Sequence, residues 1–185
     1  MKSYWKYMLA AAITLLAVGG SARAQSNDHD GCSNSTLKGD YAFTVSGQIF
    51  NQNGTFTQVN GVAMTNFDGE ADAQGKGGLT QVDFIVSNPP LLGPPPPTDP
   101  LTGFRTQESG TYQVFPDCTG KATINFPPLQ HGLVIQITFV LSNQGRKIHA
   151  VVSALTAPTP GGPVTIPAAI SAVAEKVGTI RRERD

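Results

Sequence analysis

The stretch Leu133-Val134-Ile135-Gln136-Ile137-Thr138-Phe139-Val140-Leu141 is the clearest guide to the fold of this chain. Its odd-numbered positions are all apolar, whereas two of its even-numbered positions are polar. Apolar residues at every second position place one side of an extended chain against a core. We therefore predict a β-strand here, with Ile135, Ile137 and Phe139 on its inward side.

The same alternation occurs on both sides of this stretch. We predict further strands over residues 37–49, 55–67, 79–87, 106–115, 121–126 and 147–155. Residues 164–178 fit either a closing strand or a short helix, because their alternation is weak and alanine is frequent. Eight strands in up-and-down order would close and leave no exposed sheet edge. We therefore predict an all-β fold, a single antiparallel up-and-down β-barrel of about eight strands.

The composition supports this fold class and excludes others. Only 14% of the 185 residues are charged, which is too few for a coiled coil or a typical helical bundle. The 13 basic residues equal the 13 acidic ones, and phosphate binding needs clustered basic groups, so we expect no nucleic-acid partner. Residues 88–103 contain seven prolines and predict a Pro-rich loop insertion, because proline cannot donate to a β-ladder. This loop is either a docking peptide or a long connection between strands.

The N-terminus has the pattern of an export signal. Lys2 and Lys6 precede an apolar run over residues 8–18, and Ala22-Arg23-Ala24 fits a signal-peptidase site. We predict a signal peptide over 1–24, followed by a polar N-terminal lead (25–36), the barrel (37–178) and a charged C-terminal tail (179–185). The apolar run is shorter than the roughly 20 residues of a membrane span. We therefore expect a secreted or periplasmic protein without stable membrane insertion after cleavage.

Two cysteines, Cys32 and Cys118, follow the predicted cleavage site. Exported proteins meet an oxidising compartment, where a cysteine pair forms a disulfide by default. A reactive thiol is the alternative, but the chain lacks the C-x-x-C spacing of redox sites. We predict a disulfide between Cys32 and Cys118.

The sequence contains no pattern that specifies a reaction. The three histidines lack zinc-site spacing, and no hydrolase, phosphate-loop or dinucleotide motif occurs, so we expect neither a metal nor a cofactor. Two carboxyl groups on predicted strands, Glu108 and Asp83, are catalytic candidates without firm support, because an acid in an apolar cavity has a raised pKa and can donate a proton. Charged residues on strands more often face solvent.

Two segments carry a family resemblance. Residues 32–43 and 110–120 contain C-S-x-x-T-L-x-G-x-Y-x-F and G-x-Y-x-V-x-P-D-C-T-G, and this pattern resembles a widespread set of secreted bacterial proteins, mostly uncharacterised. The strand layout is similar to the calycin-like barrels of the allene oxide cyclase and dirigent type. The resemblance implies a cavity that can hold a small apolar molecule.

We therefore expect a secreted small β-barrel protein that binds a small apolar ligand or a partner surface without chemistry. Two alternatives remain: a cofactor-independent isomerase or cyclase on the same barrel, and a structural protein of the envelope or matrix. An oligomer is compatible with the sequence. The residues predicted to contact a ligand are Tyr41, Phe43, Tyr112, Ile135, Ile137 and Phe139.

Overall fold

A computed structural model describes residues 31–51, 53–89, 98–127 and 132–178. The predicted signal peptide, most of the polar lead, residues 90–97 of the Pro-rich loop and the tail 179–185 lie outside the described residues. A short 3-10 turn at Asn34–Thr36 precedes the strands. The strands are β1 (Lys38–Phe50), β2 (Phe56–Asp68), β3 (Gly77–Asn88), β4 (Arg105–Val114), β5 (Thr119–Asn125), β6 (Val134–Ser142), β7 (Lys147–Thr159), β8 (Gly162–Ile166) and β9 (Ala168–Lys176).

The strands form a closed antiparallel barrel. Each strand from β1 to β7 pairs with the next one along the chain, and β9 pairs with both β7 and β1. The closing pair runs from Tyr41 opposite Lys176 to Ile49 opposite Ala168. The prediction of an eight-stranded up-and-down barrel is thus confirmed, with β8 as one additional strand.

The segment over residues 164–178, which the sequence left open, is extended. Its two parts, β8 and β9, are separated by Pro167, whose carbonyl accepts a hydrogen bond from Phe50 N at 2.9 Å. β8 pairs with the end of β7, and β9 pairs with its beginning. The pairing of β9 with strands on both sides outweighs the helix propensity of its alanines.

The two ends of the barrel differ in how the described residues cover them. Because neighbouring strands are antiparallel, their connections alternate between the ends. Turns at residues 69–76, 115–118 and 143–146 lie with residues 31–37 at one end, which we call the closed end. The opposite end, which we call the open end, contains the strand termini Phe50, Phe56, Asn88, Arg105, Asn125 and Val134.

A disulfide fastens the chain across the closed end. Cys32 and Cys118 are bonded, with their Cα atoms 4.9 Å apart, which confirms the predicted pair. Next to it, Cys32 N donates a hydrogen bond to Pro116 O at 3.2 Å. The residues just before β1 are therefore held against the turn between β4 and β5.

A buried asparagine completes this cover. The side chain of Asn34 donates hydrogen bonds to Glu70 O at 2.8 Å and to Gly75 O at 3.1 Å. Its Oδ1 atom accepts a hydrogen bond from Val114 N at 2.8 Å. One side chain therefore links the segment before β1 to the β2–β3 turn and to β4, a role that the sequence did not reveal.

Three aromatic rings fill the closed end beneath this cover. Phe67 packs edge-to-face against Tyr41 and Tyr112, with ring centroids 5.5 and 4.9 Å away. Tyr41 and Tyr112 are no more than 1% exposed. Such contacts and the buried area make this end a tightly packed core.

Candidate functional site

Above this core the barrel encloses a cavity of about 150 Å³. Inward-facing positions alternate along each strand, so every barrel strand except β4 supplies apolar side chains to its wall. Those nearest the open end, such as Val45, Ile49 and Ile135, are only half-buried. Apolar side chains in the lining include Phe43, Val59, Leu79, Ile124, Ile137, Phe139, Ile148 and Ile170.

The structure separates the six residues predicted to contact a ligand into two groups. Phe43, Ile135, Ile137 and Phe139 line the cavity. The two tyrosines do not line it and lie in the packed closed end. The inward side of the strongest predicted strand therefore forms one wall of the cavity.

Both tyrosine hydroxyls are engaged in hydrogen bonds at the closed end. Tyr41 donates to Gly145 O at 2.6 Å. The hydroxyl of Tyr112 accepts from Gly69 N at 2.9 Å and lies 3.1 Å from Leu37 O. Burial raises the pKa of both phenols, so neither ionises at neutral pH. Their place and bonding assign them to the fold, where each ties a strand to a turn or to the segment before β1.

One wall of the cavity is polar. Thr65, Gln81, Asp83 and Arg105 are its polar lining residues in the described part of the chain. The Arg105 guanidinium donates through Nε and Nη2 to the two carboxylate oxygens of Asp83, which forms a bidentate ion pair. Thr65 Oγ1 donates to Gln81 Oε1 at 2.8 Å. Polar groups are therefore gathered on β2, β3 and β4, facing the apolar strands β6 and β7.

Glu108 lies behind this polar wall and does not line the cavity. Its Oε2 atom accepts a hydrogen bond from Gln81 Nε2 at 2.7 Å, and its Oε1 atom has no hydrogen-bond partner among the described residues. Burial, followed by the nearby negative charge of Asp83, raises the pKa of Glu108 to about 8. At neutral pH this carboxyl group is therefore mostly protonated and uncharged.

The inward direction of Asp83 and Glu108 differs from the usual exposure of charged residues on strands. On β3, the apolar Phe84 and Val86 point outward and are 44% and 58% exposed, whereas Asp83 is 3% exposed. The pairing register of β3 with β2 and β4 sets which side of β3 faces inward. Leu79, Asp83 and Ile85 lie on that side. The two carboxyl groups can be buried because Arg105 and Gln81 provide partners for them.

An irregularity in β4 brings Arg105 to the cavity. The pairing of β3 with β4 shifts register between Gln81 and Asp83, and Gln107 has a positive φ of 68°. Such a bulge adds one residue to the strand and changes the parity beyond it. Arg105 and Glu108, an odd and an even position, consequently both face inward. No pattern in the sequence indicates this bulge, and Arg105 was not among the predicted site residues.

Arg105 is fixed on a second side by an aromatic ring. Its guanidinium carbon lies 5.2 Å from the centroid of Phe126, which is within the range of a cation–π contact. With Asp83 on one side and Phe126 on another, the guanidinium has a defined orientation. Its remaining nitrogen, Nη1, donates no hydrogen bond to the described residues.

The described residues contain no group of three or more histidine, cysteine, aspartate or glutamate side chains that could hold a metal ion. His149 is exposed on β7, and the other two histidines, His29 and His131, lie outside the described residues. Within the same described ranges, no helix has the length and apolar character needed to cross a membrane.

No protein-family model and no curated protein matches this chain. Among solved structures, the S-type phycobiliprotein lyase CPES from Guillardia theta is similar in shape, with a TM-score of 0.43 and 7% sequence identity. The similarity covers 79% of this chain and 91% of that protein.

Proposed function

We propose that this protein is an exported barrel that binds a small apolar molecule in its cavity. The observation that carries the proposal is the lining near the open end, where inward-facing apolar side chains stay half-buried around a cavity of about 150 Å³. Burial of apolar surface is worth roughly 25 cal/mol per Å², so an occupant that covers these side chains is stabilised. Water gains little along the apolar part of the lining, because those side chains offer it no hydrogen-bond partner.

The size of the cavity limits the ligand. An apolar cavity of roughly 150 Å³ accommodates a benzene-sized molecule, whereas sites for drug-sized ligands usually exceed about 300 Å³. We therefore propose a ligand with a single ring or a short branched chain inside the barrel. A longer molecule would place only its end in the cavity and the rest at the open end.

Binding without chemistry fits the polar wall best. Asp83 is held by Arg105 through both of its oxygens, and Glu108 stands behind Gln81. A cofactor-independent isomerase or cyclase is the second candidate, and the pKa of about 8 for Glu108 favours it, since a protonated acid can donate. Long incubation with each bound compound, followed by mass and chiral analysis, separates the two. Recovery of an isomerised compound would contradict simple binding.

The proposal is tested with the purified, disulfide-intact protein and a panel of ring compounds and short-chain lipids, by calorimetry and ligand-observed NMR. Ile135→Trp should fill the cavity and lower affinity at least tenfold. Val140→Trp is the matched control, because Val140 is on the same strand, is 47% exposed and points outward. Equal binding by both variants, with both shown to be folded, would mean that ligands bind elsewhere.

We also propose export and kinship with the secreted bacterial proteins that share the two cysteine-containing motifs. The signal-like residues 1–24 and the Cys32–Cys118 bond support export, because disulfides persist outside the cytoplasm. Expression of the full chain in a bacterium should give an extracytoplasmic protein that begins at Gln25. An uncleaved chain retained in the cytoplasm with free thiols would contradict it.

A further inference from the structure

The charges at the cavity wall restrict the kind of molecule that fits. In the lining of the cavity, among the residues that the structure describes, the charged side chains are Asp83 and Arg105. They face each other at hydrogen-bonding distance and balance in charge. Glu108, the next acid, lies 3.8 Å from Arg105 Nε through its Oε1 atom and is mostly protonated at neutral pH. The wall therefore offers an entering molecule no uncompensated charge.

An anionic ligand would disturb this balance. A carboxylate that bound Arg105, even through Nη1, would share its single positive charge with Asp83, which is 3% exposed, so two negative charges would lie beside one positive charge. A cationic ligand meets the converse problem, because Asp83 is already occupied by Arg105. Both cases cost free energy because the Asp83 carboxylate is almost fully buried.

A neutral polar group avoids both costs. Arg105 uses two of its nitrogens on Asp83, and its Nη1 atom still carries hydrogens that are not donated to any described residue. An uncharged oxygen can accept from this nitrogen while the ion pair stays intact. The apolar remainder of the molecule would then lie against Ile135, Ile137 and Phe139 across the cavity.

We propose that the cavity selects neutral molecules, namely a ring or short apolar chain that ends in one uncharged oxygen acceptor placed at Arg105 Nη1. This inference rests on the proposed binding function and names its ligand class. Ketones, amides and esters belong to that class, whereas fatty-acid anions and aliphatic amines do not.

Three probes of equal size test it at pH 7: benzamide, benzoate and benzamidine, which are neutral, anionic and cationic. We expect wild-type protein to bind benzamide at least tenfold more tightly than either ion, measured by ligand-observed NMR or calorimetry. Benzoate binding within threefold of benzamide would overturn the inference.

Since an ion is also costlier to dehydrate, variants must show that the ion pair sets the preference. Glu108→Gln serves as the background, because it prevents Glu108 from ionising to replace the lost Asp83 charge. Adding Asp83→Asn in this background frees the positive charge of Arg105. We expect benzoate affinity to rise at least tenfold over the Glu108→Gln protein, with benzamide changed less than threefold. Adding Arg105→Gln as well should abolish the gain.

The outcomes distinguish the two proposals. If the protein with both Asp83→Asn and Glu108→Gln folds but binds benzoate no more tightly than the Glu108→Gln protein, the neutral-ligand inference is overturned. The proposed binding function is then unaffected. If the double variant does not fold, Asp83→Asn alone is measured at pH 6, where Glu108 keeps its proton, and a benzoate affinity that does not rise over wild type overturns the inference. If other apolar compounds bind but none of the three probes does, the neutral-ligand inference is overturned and the proposed binding function stands. If no compound of the wider panel binds, the proposed function fails with it.

Discussion

The closed and open ends of this barrel are built from the same strands but differ in packing. At the closed end, a disulfide, a buried asparagine and two buried tyrosines fill the interior and satisfy the polar groups of the turns. At the open end, inward-facing apolar side chains remain half-buried around a cavity. A barrel needs one well-packed region for stability and can leave another region unfilled for a ligand. We therefore expect substitutions at the closed end to affect folding, and those near the open end to affect binding.

The largest expected effect comes from the disulfide. Replacing both Cys32 and Cys118 with alanine releases a constraint between positions 86 residues apart, for which the chain-entropy model gives about 4 to 5 kcal/mol. Urea unfolding of the double variant should show this loss. Under conditions where the variant stays folded, its ligand affinity should change less than threefold. A loss below about 1 kcal/mol would mean that the closed end does not depend on the covalent link.

A pair of aliphatic residues compares the two ends directly. Leu37, just before β1, is 0% exposed and is not part of the cavity lining, whereas Ile135, on β6, is half-buried at the cavity. Leu37→Ala should cost about 2 to 5 kcal/mol of unfolding free energy, because it leaves a void in packed surroundings. Ile135→Ala should cost about 1 kcal/mol, because part of its surface is already exposed. Denaturant unfolding and ligand titration of both variants test this comparison of the two ends. A larger loss of unfolding free energy for Ile135→Ala would contradict it.

The tyrosine hydroxyl at the closed end gives a smaller effect. Tyr112→Phe keeps the ring but removes the acceptor for Gly69 N, so a partly buried N–H loses its partner. We expect a loss of about 1 to 3 kcal/mol in unfolding free energy, with no change in ligand affinity. Hydrogen exchange should show faster exchange at Gly69. Unchanged protection there would indicate that another acceptor replaces the phenol.

The smallest expected effect concerns Glu108 and its dependence on pH. Its folded-state pKa of about 8 lies above the ordinary value of 4.5, so the folded protein keeps a proton that the unfolded chain releases between these pH values. Wild-type stability should therefore fall as pH rises from 4.5 to 8. Glu108→Gln removes this penalty and should be more stable than wild type by at least about 1 kcal/mol at pH 9, while matching it near pH 4.5.

The measurement for Glu108 is chemical denaturation of both proteins across pH 4.5 to 9. Glu70→Gln, at an exposed position in the turn after β2, is the control and should show no such divergence. Parallel curves for the Glu108→Gln and wild-type proteins would show that this carboxyl group is hydrated in solution. Such a result would also mean that water reaches the polar wall of the cavity.

Much of the fold could be predicted because alternation is a local property. The stretch over residues 133–141 forms β6, and its inward side lines the cavity as expected. The disulfide followed from two cysteines in a chain whose first 24 residues predict an export signal. The strand character of residues 164–178 was less accessible, because it depends on pairing with β1, whose residues are more than a hundred positions away.

The candidate site was only partly accessible from the sequence. Phe43 and the inward residues of β6 were found by the alternation along their strands, but Tyr41 and Tyr112 also face inward on their strands and lie in the packed end. Periodicity gives the side of a strand and contains no information about depth along the barrel axis. Asn34 and Arg105 carried no signal, since their roles arise from contacts with other strands and turns.

The sequence by itself determined seven of the strands and the position of the covalent link, because period-two patterns and cysteine chemistry are local properties of the sequence. Tertiary structure decided which side of β3 faces inward, how a bulge in β4 turns Arg105 toward Asp83, and where packing stops and the cavity begins. These features depend on register around a closed barrel. Register is a relation between distant strands, which no single stretch of residues encodes.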